Sequence, residues 1–248
     1  MTHAIIFDWD GTLISCEEKI DHTIRSICQT YPAVGLAYEH SVREQLASPG
    51  WVRNGYISSL PEDYFSYHFG ILATLLAENQ SVDLEQAWIT ILTAFKEMYG
   101  RNPSKLLVGI QGIMELSQLA SIYVVSNSET SNIEREASVL GISNAQIQFI
   151  GGAKKYKVSG GEQSIAGIPT NRQDYREILR RVKGGHKSLT VVGDNFSMDL
   201  VTPLSLGINV AYIPNPLTPP AILDYVRREN ILSGTVNEII RTLKTTLK

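Results

Sequence analysis

Ala4-Ile5-Ile6-Phe7-Asp8-Trp9-Asp10-Gly11-Thr12-Leu13 sets the architecture of the whole chain. Ala4 to Phe7 is an apolar run of strand length. It stops at two carboxylates spaced i, i+2, followed by Gly and Thr. A buried strand seldom ends in two acids without a reason, because each charge needs a partner or a cation. In an open parallel α/β sheet, ligands bind at the carboxyl ends of the strands. Asp8 and Asp10 are therefore candidates for a site that holds a divalent cation and carries out chemistry. The alternative is a strand end with two solvated acids and a glycine turn.

Downstream of Thr12 the apolar spacing changes from strand to helix. Ile20, Ile24 and Ile27 predict a helix over 17–29, closed by Tyr31-Pro32. A second helix is predicted over 41–47, before Pro49-Gly50, and a third over 62–78. Ser81 and Asp83 are both N-cap candidates for a fourth, running to about Tyr99 with Gly100 at C′. No segment between 15 and 105 reads as a strand.

From Gly109 the rhythm alternates. Helices are predicted over 110–120 and 131–140, and strands over 121–126 and 146–150. A polar loop from Ala153 to Thr170 is longer than most connections in compact domains, which marks it as functional or mobile. Thr170 and Gln173 fit a capping box for a helix over 172–182. Strands follow at 189–192 and 209–213, and prolines at 214, 216, 219 and 220 precede C-terminal helices.

Alternating strands and helices imply a parallel sheet with right-handed crossovers. The predicted fold is α/β: a Rossmann-like, doubly wound core over 1–14 and 106–248, interrupted by an all-helical cap over 15–105. A cap in that position can close over a site at the sheet edge and exclude water.

Composition narrows the function. A chain of 248 residues with 43% hydrophobic residues has ample material for a core. Its formal charge of −3, with no basic stripe, argues against a general nucleic-acid binder. No apolar run approaches the ~20 residues of a membrane span. Asp8 and Asp10 interrupt what would be the apolar region of a signal peptide. The two cysteines, Cys16 and Cys28, make no disulfide framework. A reduced, cytoplasmic setting is the expectation, with no nucleic-acid or membrane partner.

Three strand ends carry polar groups. Asp8 and Asp10 follow the first. Ser126-Asn127-Ser128 follows Val124-Val125. Gly193-Asp194, with Asn195 and Asp199 close behind, follows Val191-Val192. Strand ends along one sheet edge can meet in space. Several carboxylates together need a hard cation, and oxygen ligands with bound water suit Mg²⁺. A carboxylate that attacks phosphorus gives an aspartyl-phosphate, and a metal with a positive side chain offsets the charge on the transferring phosphoryl group.

These motifs resemble, in order and spacing, those of the haloacid dehalogenase superfamily: Asp8-Trp9-Asp10-Gly11-Thr12, Ser126, and Gly193-Asp194 through Asp199. The Val108-Gly109-Ile110 lead into the second half is similar as well. The resemblance implies that Asp8 is the nucleophile and Asp10 the general acid/base. Asp10 would touch the metal through its backbone carbonyl. Asp8, Asp194 and Asp199 would complete a Mg²⁺ site, Asp199 either as a ligand or by orienting waters. Ser126 and Asn127 would meet the phosphoryl group, and Thr12 would brace the nucleophile loop. The acid at position 10 is the family's mark of phosphatases and phosphomutases, as opposed to dehalogenases and phosphonatases.

One family element is not obvious. The usual Lys near the start of the helix before the Gly193-Asp194 strand is missing, because Gly167 to Arg172 contains no Lys. Lys154, Lys155, Lys157 and Arg172 are the candidates, and Lys157 and Lys154 are preferred. The implied function is a Mg²⁺-dependent phosphatase acting on a small phosphorylated metabolite. A phosphomutase using the same intermediate, or a non-catalytic binding member, are the alternatives. Trp51, Arg53 and Asn54 are cap candidates for substrate contact. The histidines show no metal-ligand spacing.

Overall fold

The structure is a computed structural model that describes residues 3–15, 17–47, 64–99, 104–142, 147–155, 173–215 and 218–248. Trp51, Arg53, Asn54, Gly100, Lys157, Thr170 and Arg172 lie outside the described residues. The chain divides into two compact units. One comprises Met1–Ser15, Ser104–Lys157 and Asn171–Lys248; the other is built on Cys16–Pro103.

The first unit holds all ten described strands: β1 (His3–Phe7), β2 (Ile14–Ser15), β3 (Lys105–Leu106), β4 (Ala120–Val125), β5 (Ile147–Ile150), β6 (Ala153–Lys154), β7 (Gln173–Asp174), β8 (Ser188–Gly193), β9 (Asn209–Tyr212) and β10 (Leu232–Ser233). Six of them form the central sheet, in the order β10-β9-β8-β1-β4-β5. Every pairing in it is parallel. The chain lays down β1, β4 and β5 to one side, then returns to place β8, β9 and β10 on the other. This is a doubly wound order, and its direction reverses between β1 and β8. Ligands bind outside the strand ends at such a reversal.

The helical unit contributes α1 (Glu17–Thr30), α2 (Pro32–Ala47), α3 (Tyr64–Gln80) and α4 (Leu84–Tyr99). The helices of the sheet unit are α5 (Ile110–Ser117), α6 (Thr130–Val139), α7 (Tyr175–Gly184), α8 (Val201–Ser205), α9 (Pro220–Arg228) and α10 (Val236–Thr246). β1 is central because its side chains are apolar on both faces. Ile5, Ile6 and Phe7 are at most 1% exposed, and each burial contributes roughly 1.5–3 kcal/mol. The period of two sends Ile5 and Phe7 to one face and Ala4 and Ile6 to the other. Ile5 and Phe7 share a core with Ile113, Ile133 and Ile239 of α5, α6 and α10. Ala4 and Ile6 share the opposite core with Ile178, Leu179 and Val226 of α7 and α9. β2 and β3 pair antiparallel as a two-residue ribbon.

In the helical unit, Ile20, Ile24 and Ile27 of α1 pack with Phe69 and Leu72 of α3 and Trp88 and Ile91 of α4. α2 begins at Pro32, well before the helix expected from Ser41. Proline fits the first helical position because no N–H is needed there, so Pro32 opens one helix immediately after another ends. Asp83 caps α4, its Oδ1 accepting from Gln86 N at 2.7 Å. Ser81, the other cap candidate, instead takes the left-handed turn, with φ of 54°.

The helix expected from residue 172 starts at Tyr175 and not before. Gln173 is in β7, and the N-cap is Asp174, whose side chain accepts from Arg176 N at 2.7 Å. Local hydrogen bonding by an Asp one residue before the apolar period caps the helix, and Thr170 of the expected pair lies outside the described residues. Among the described residues no helix is long and apolar enough to cross a membrane.

Candidate active site

Asp8 leaves β1 with its backbone N–H donating to Val192 O of β8 at 3.0 Å. This ties the first strand end to the third. The loop then doubles back: Leu13 N and Ile14 N both donate to Trp9 O, at 3.0 and 3.1 Å. Trp9 separates the two acids and anchors them. It is fully buried, and its indole N–H donates to Glu136 Oε2 of α6 at 3.1 Å. Gly11 is required where it stands. Its φ is +82°, and a Cβ there would lie 2.1 Å from Asp194 Oδ2.

Asp194 follows β8, and Asp199 lies one π-helical turn later, in Phe196–Leu200. Single turns of this kind often mark functional sites. Here the turn brings Asp199 back under the strand end. Its Oδ2 accepts from Asn195 N at 3.1 Å, while Asn195 Oδ1 accepts from Met198 N at 3.0 Å. The result is that carboxylate oxygens of Asp8, Asp194 and Asp199 all lie within 4.8 Å of one another.

The ammonium that meets these acids belongs to Lys155. Its Nζ donates to Asp8 Oδ1 and, at 2.9 Å, to Asp199 Oδ1. Lys155 is 7% exposed, and its Nζ also lies 5.7 Å from the Tyr175 ring centroid. Lys154, one of the two preferred lysines, is exposed on β6. The inside–outside alternation of β6 carries on one residue past its end: Ala153 is buried, Lys154 exposed and Lys155 buried. Lys157, the other preferred residue, is outside the described residues.

Ser126, Asn127 and Thr12 take defined places. Ser126 is 2% exposed, and its Oγ accepts from Ser128 N at 3.1 Å. Asn127 Oδ1 accepts from Lys155 N at 3.2 Å, which docks the lysine loop against the end of β4. Thr12 is fully buried, and its hydroxyl donates to Asp194 Oδ1 at 2.9 Å. Its side chain therefore braces an acid of the cluster. Asp10 Oδ2 accepts from the Ser128 hydroxyl at 3.1 Å. Tyr175 donates its hydroxyl to Asp199 O at 3.0 Å. The sequence assigned no role to Ser128 or Tyr175, because each matters through a contact made across the fold.

Burial governs the electrostatics. It pushes Asp8 up to about 7, with Lys155 pulling the other way and Asp199 and Asp10 adding to the rise. Burial also pushes Asp194 well above the ordinary carboxylate range, reinforced by Asp199 and Asp8. Burial pulls Lys155 down, but Asp199 and Asp8 more than offset it and hold its ammonium charged. One such ammonium does not neutralise three clustered carboxylates. Their hard oxygen donors, close together and short of positive charge, fit a small divalent cation such as Mg²⁺.

Comparison with known proteins gives the family and the fold. A family model, haloacid dehalogenase-like hydrolase, matches residues 2–202. A search of curated proteins gave no match. Solved structures share the fold at low identity. A protein designated a candidate beta-phosphoglucomutase from Thermotoga maritima is 17% identical with a TM-score of 0.61, covering 99% of each chain. A protein described as a predicted phosphoglycolate phosphatase from Haemophilus somnus 129pt is 15% identical with a TM-score of 0.60, covering 97% of each. A haloacid dehalogenase-like family hydrolase from Streptococcus pneumoniae is 15% identical with a TM-score of 0.56, covering 97% of this chain and 98% of its own. With the doubly wound sheet, the clustered acids at its strand ends and a family match over most of its length, the chain belongs to the haloacid dehalogenase-like hydrolases.

Proposed function

We propose that the chain is a Mg²⁺-dependent phosphatase that hydrolyses a small phosphorylated metabolite through a phosphoaspartate on Asp8. The observation that carries this reading is the meeting of Asp8, Asp194 and Asp199 at the reversal of the sheet, with Lys155 Nζ bridging Asp8 and Asp199. Nucleophile, countercharge and acid ligands are then all within reach of one phosphoryl group.

In the first step an Asp8 oxygen bonds to phosphorus as the bond to the leaving oxygen breaks, and Asp10 gives that oxygen its proton. In the second step Asp10, now a carboxylate, takes a proton from water. The water oxygen bonds to phosphorus, the bond to Asp8 breaks, and inorganic phosphate leaves. Lys155 holds Asp8 and faces the charge on the transferring group. Ser126 and Asn127 line the same strand end, where hydroxyl and amide groups suit phosphoryl oxygens. Asp8, Asp194 and the Asp10 carbonyl would hold Mg²⁺. Asp199, whose oxygens accept from Lys155 and Asn195, would orient the lysine and nearby water. When bound, the ion supplies charge neutralisation at the phosphoryl oxygens. Cysteine usage, with Cys28 free among the described residues, suits a reduced cytoplasmic setting.

The test is phosphate release from a broad panel of phosphorylated metabolites, with Mg²⁺ and with chelator. Release that requires Mg²⁺ is the expected result. Silence across the panel would overturn the phosphatase reading. Phosphate recovered on a second hydroxyl only when a sugar bisphosphate is added would assign a phosphomutase instead.

A further inference from the structure

We propose that Ser128 is the positioning residue for Asp10, and that it locks the general acid/base to the loop that carries Lys155. This rests on the phosphatase reading above. The Ser128 hydroxyl donates to Asp10 Oδ2 at 3.1 Å. A protonated carboxyl oxygen is a poor acceptor, so a donor on Oδ2 biases the proton that Asp10 carries toward Oδ1. The hydroxyl thereby helps to orient the carboxyl plane and favours the other oxygen as the one from which the proton leaves.

The backbone of Ser128 is fixed independently of its side chain. Its N–H donates to Ser126 Oγ at 3.1 Å, and its carbonyl accepts from Gly152 N at 2.7 Å. Ala153 N donates to Ser126 O at 2.9 Å, and Lys155 N to Asn127 Oδ1 at 3.2 Å. Gly151 lets the two loops approach: a Cβ there would lie 2.1 Å from Thr130 N and 2.5 Å from Ser128 O. Residues 126–128 and 151–155 therefore form one interlocked block. From it Lys155 reaches Asp8 and Ser128 reaches Asp10. The loop holds without the Ser128 hydroxyl, so that hydroxyl can be removed with the block intact.

A role in proton transfer has a signature that a structural role lacks. A leaving group that departs easily as an anion needs no proton, whereas a poor one does. The experiment measures kcat/KM of wild type, Ser128→Ala and Ser128→Thr, with Mg²⁺, on aryl phosphates running from dinitrophenyl to phenyl phosphate. Ser128→Ala is expected to lose about tenfold on phenyl phosphate, part of the ~10²–10⁴ that general acid catalysis supplies, and less than about twofold on dinitrophenyl phosphate. Ser128→Thr, which keeps a hydroxyl, is expected to regain most of the loss.

An equal loss across the series, no loss, or a Thr variant as impaired as the Ala variant would overturn the assignment while leaving the phosphatase reading in place. A wild type inactive on every member of the series and on the metabolite panel above would overturn both.

Discussion

Asp8→Asn is expected to abolish turnover and leave the fold standing. The amide has almost the volume of the carboxylate but is not a nucleophile toward phosphorus, so the covalent route is closed. A fall of at least about 10⁴-fold in kcat is expected, in keeping with the cost of removing a covalent nucleophile. The expected stability effect runs the other way. Burial, with Asp199 and Asp10 beside it, pushes Asp8 up to about 7 against an ordinary 3.8, so its ionised form costs the metal-free fold on the order of a few kcal/mol relative to the unfolded chain. The neutral amide of the variant carries no such cost, and Lys155 keeps Asp199 as a partner at 2.9 Å. Thermal unfolding without metal at pH 8 should show Asp8→Asn at least as stable as wild type. Turnover close to that of wild type would remove Asp8 from the nucleophile's role.

Lys155→Met should impair both stability and activity. Lys155 and Asp199 are nearly fully buried, and Asp8 is 12% exposed at its side chain. Removing one partner from a buried ionic group leaves the others uncompensated, at a cost of about 3–5 kcal/mol. In the transition state the same ammonium faces phosphoryl charge, and loss of a preorganised donor of this kind costs roughly 10²–10³ in kcat.

The pH dependence follows from the sign of the shift. Asp8 in the native state binds protons up to about 7, whereas the unfolded chain releases them near 4. The native state therefore holds more protons across that window, and stability falls as pH rises through it. Without Lys155, which pulls Asp8 down, the fall should extend further upward. Lys155→Met should thus unfold progressively earlier than wild type from pH 5 to pH 8, with Mg²⁺ recovering part of the difference. A variant as stable as wild type at pH 8, with unchanged kcat, would show that the ammonium is not the countercharge of this site.

The sheet was legible because its signal is local. Ile5-Ile6-Phe7 and Val191-Val192 are too apolar and too short to be anything but buried strands, and acids at their ends announce a strand-end site. The helical unit was legible from Ile20, Ile24 and Ile27, whose spacing suits one helix face. Two-residue elements left no period to detect. β10 exists because Leu232 and Ser233 pair with Ala211 and Tyr212, and β6 because Ala153 and Lys154 pair with Gln173 and Asp174.

The missing lysine was, between the described neighbours Lys154 and Lys155, a question of which faces inward, and that depended on the pairing of β6. The Ser128–Asp10 bond spans 118 residues, a separation at which spacing along the chain carries no information. The π-helical turn that returns Asp199 to the strand end likewise leaves no periodic trace in Phe196-Ser197-Met198.

The most direct measurement is to identify the phosphorylated residue. Wild-type protein is mixed with p-nitrophenyl phosphate and Mg²⁺, quenched in acid during turnover, digested and mapped by mass spectrometry, beside a chelator control and Asp8→Asn. The expected result is phosphate on the Asp8 peptide in the Mg²⁺ sample alone. Turnover with no phosphate on Asp8, or with phosphate on another residue, would contradict phosphoryl transfer through this site.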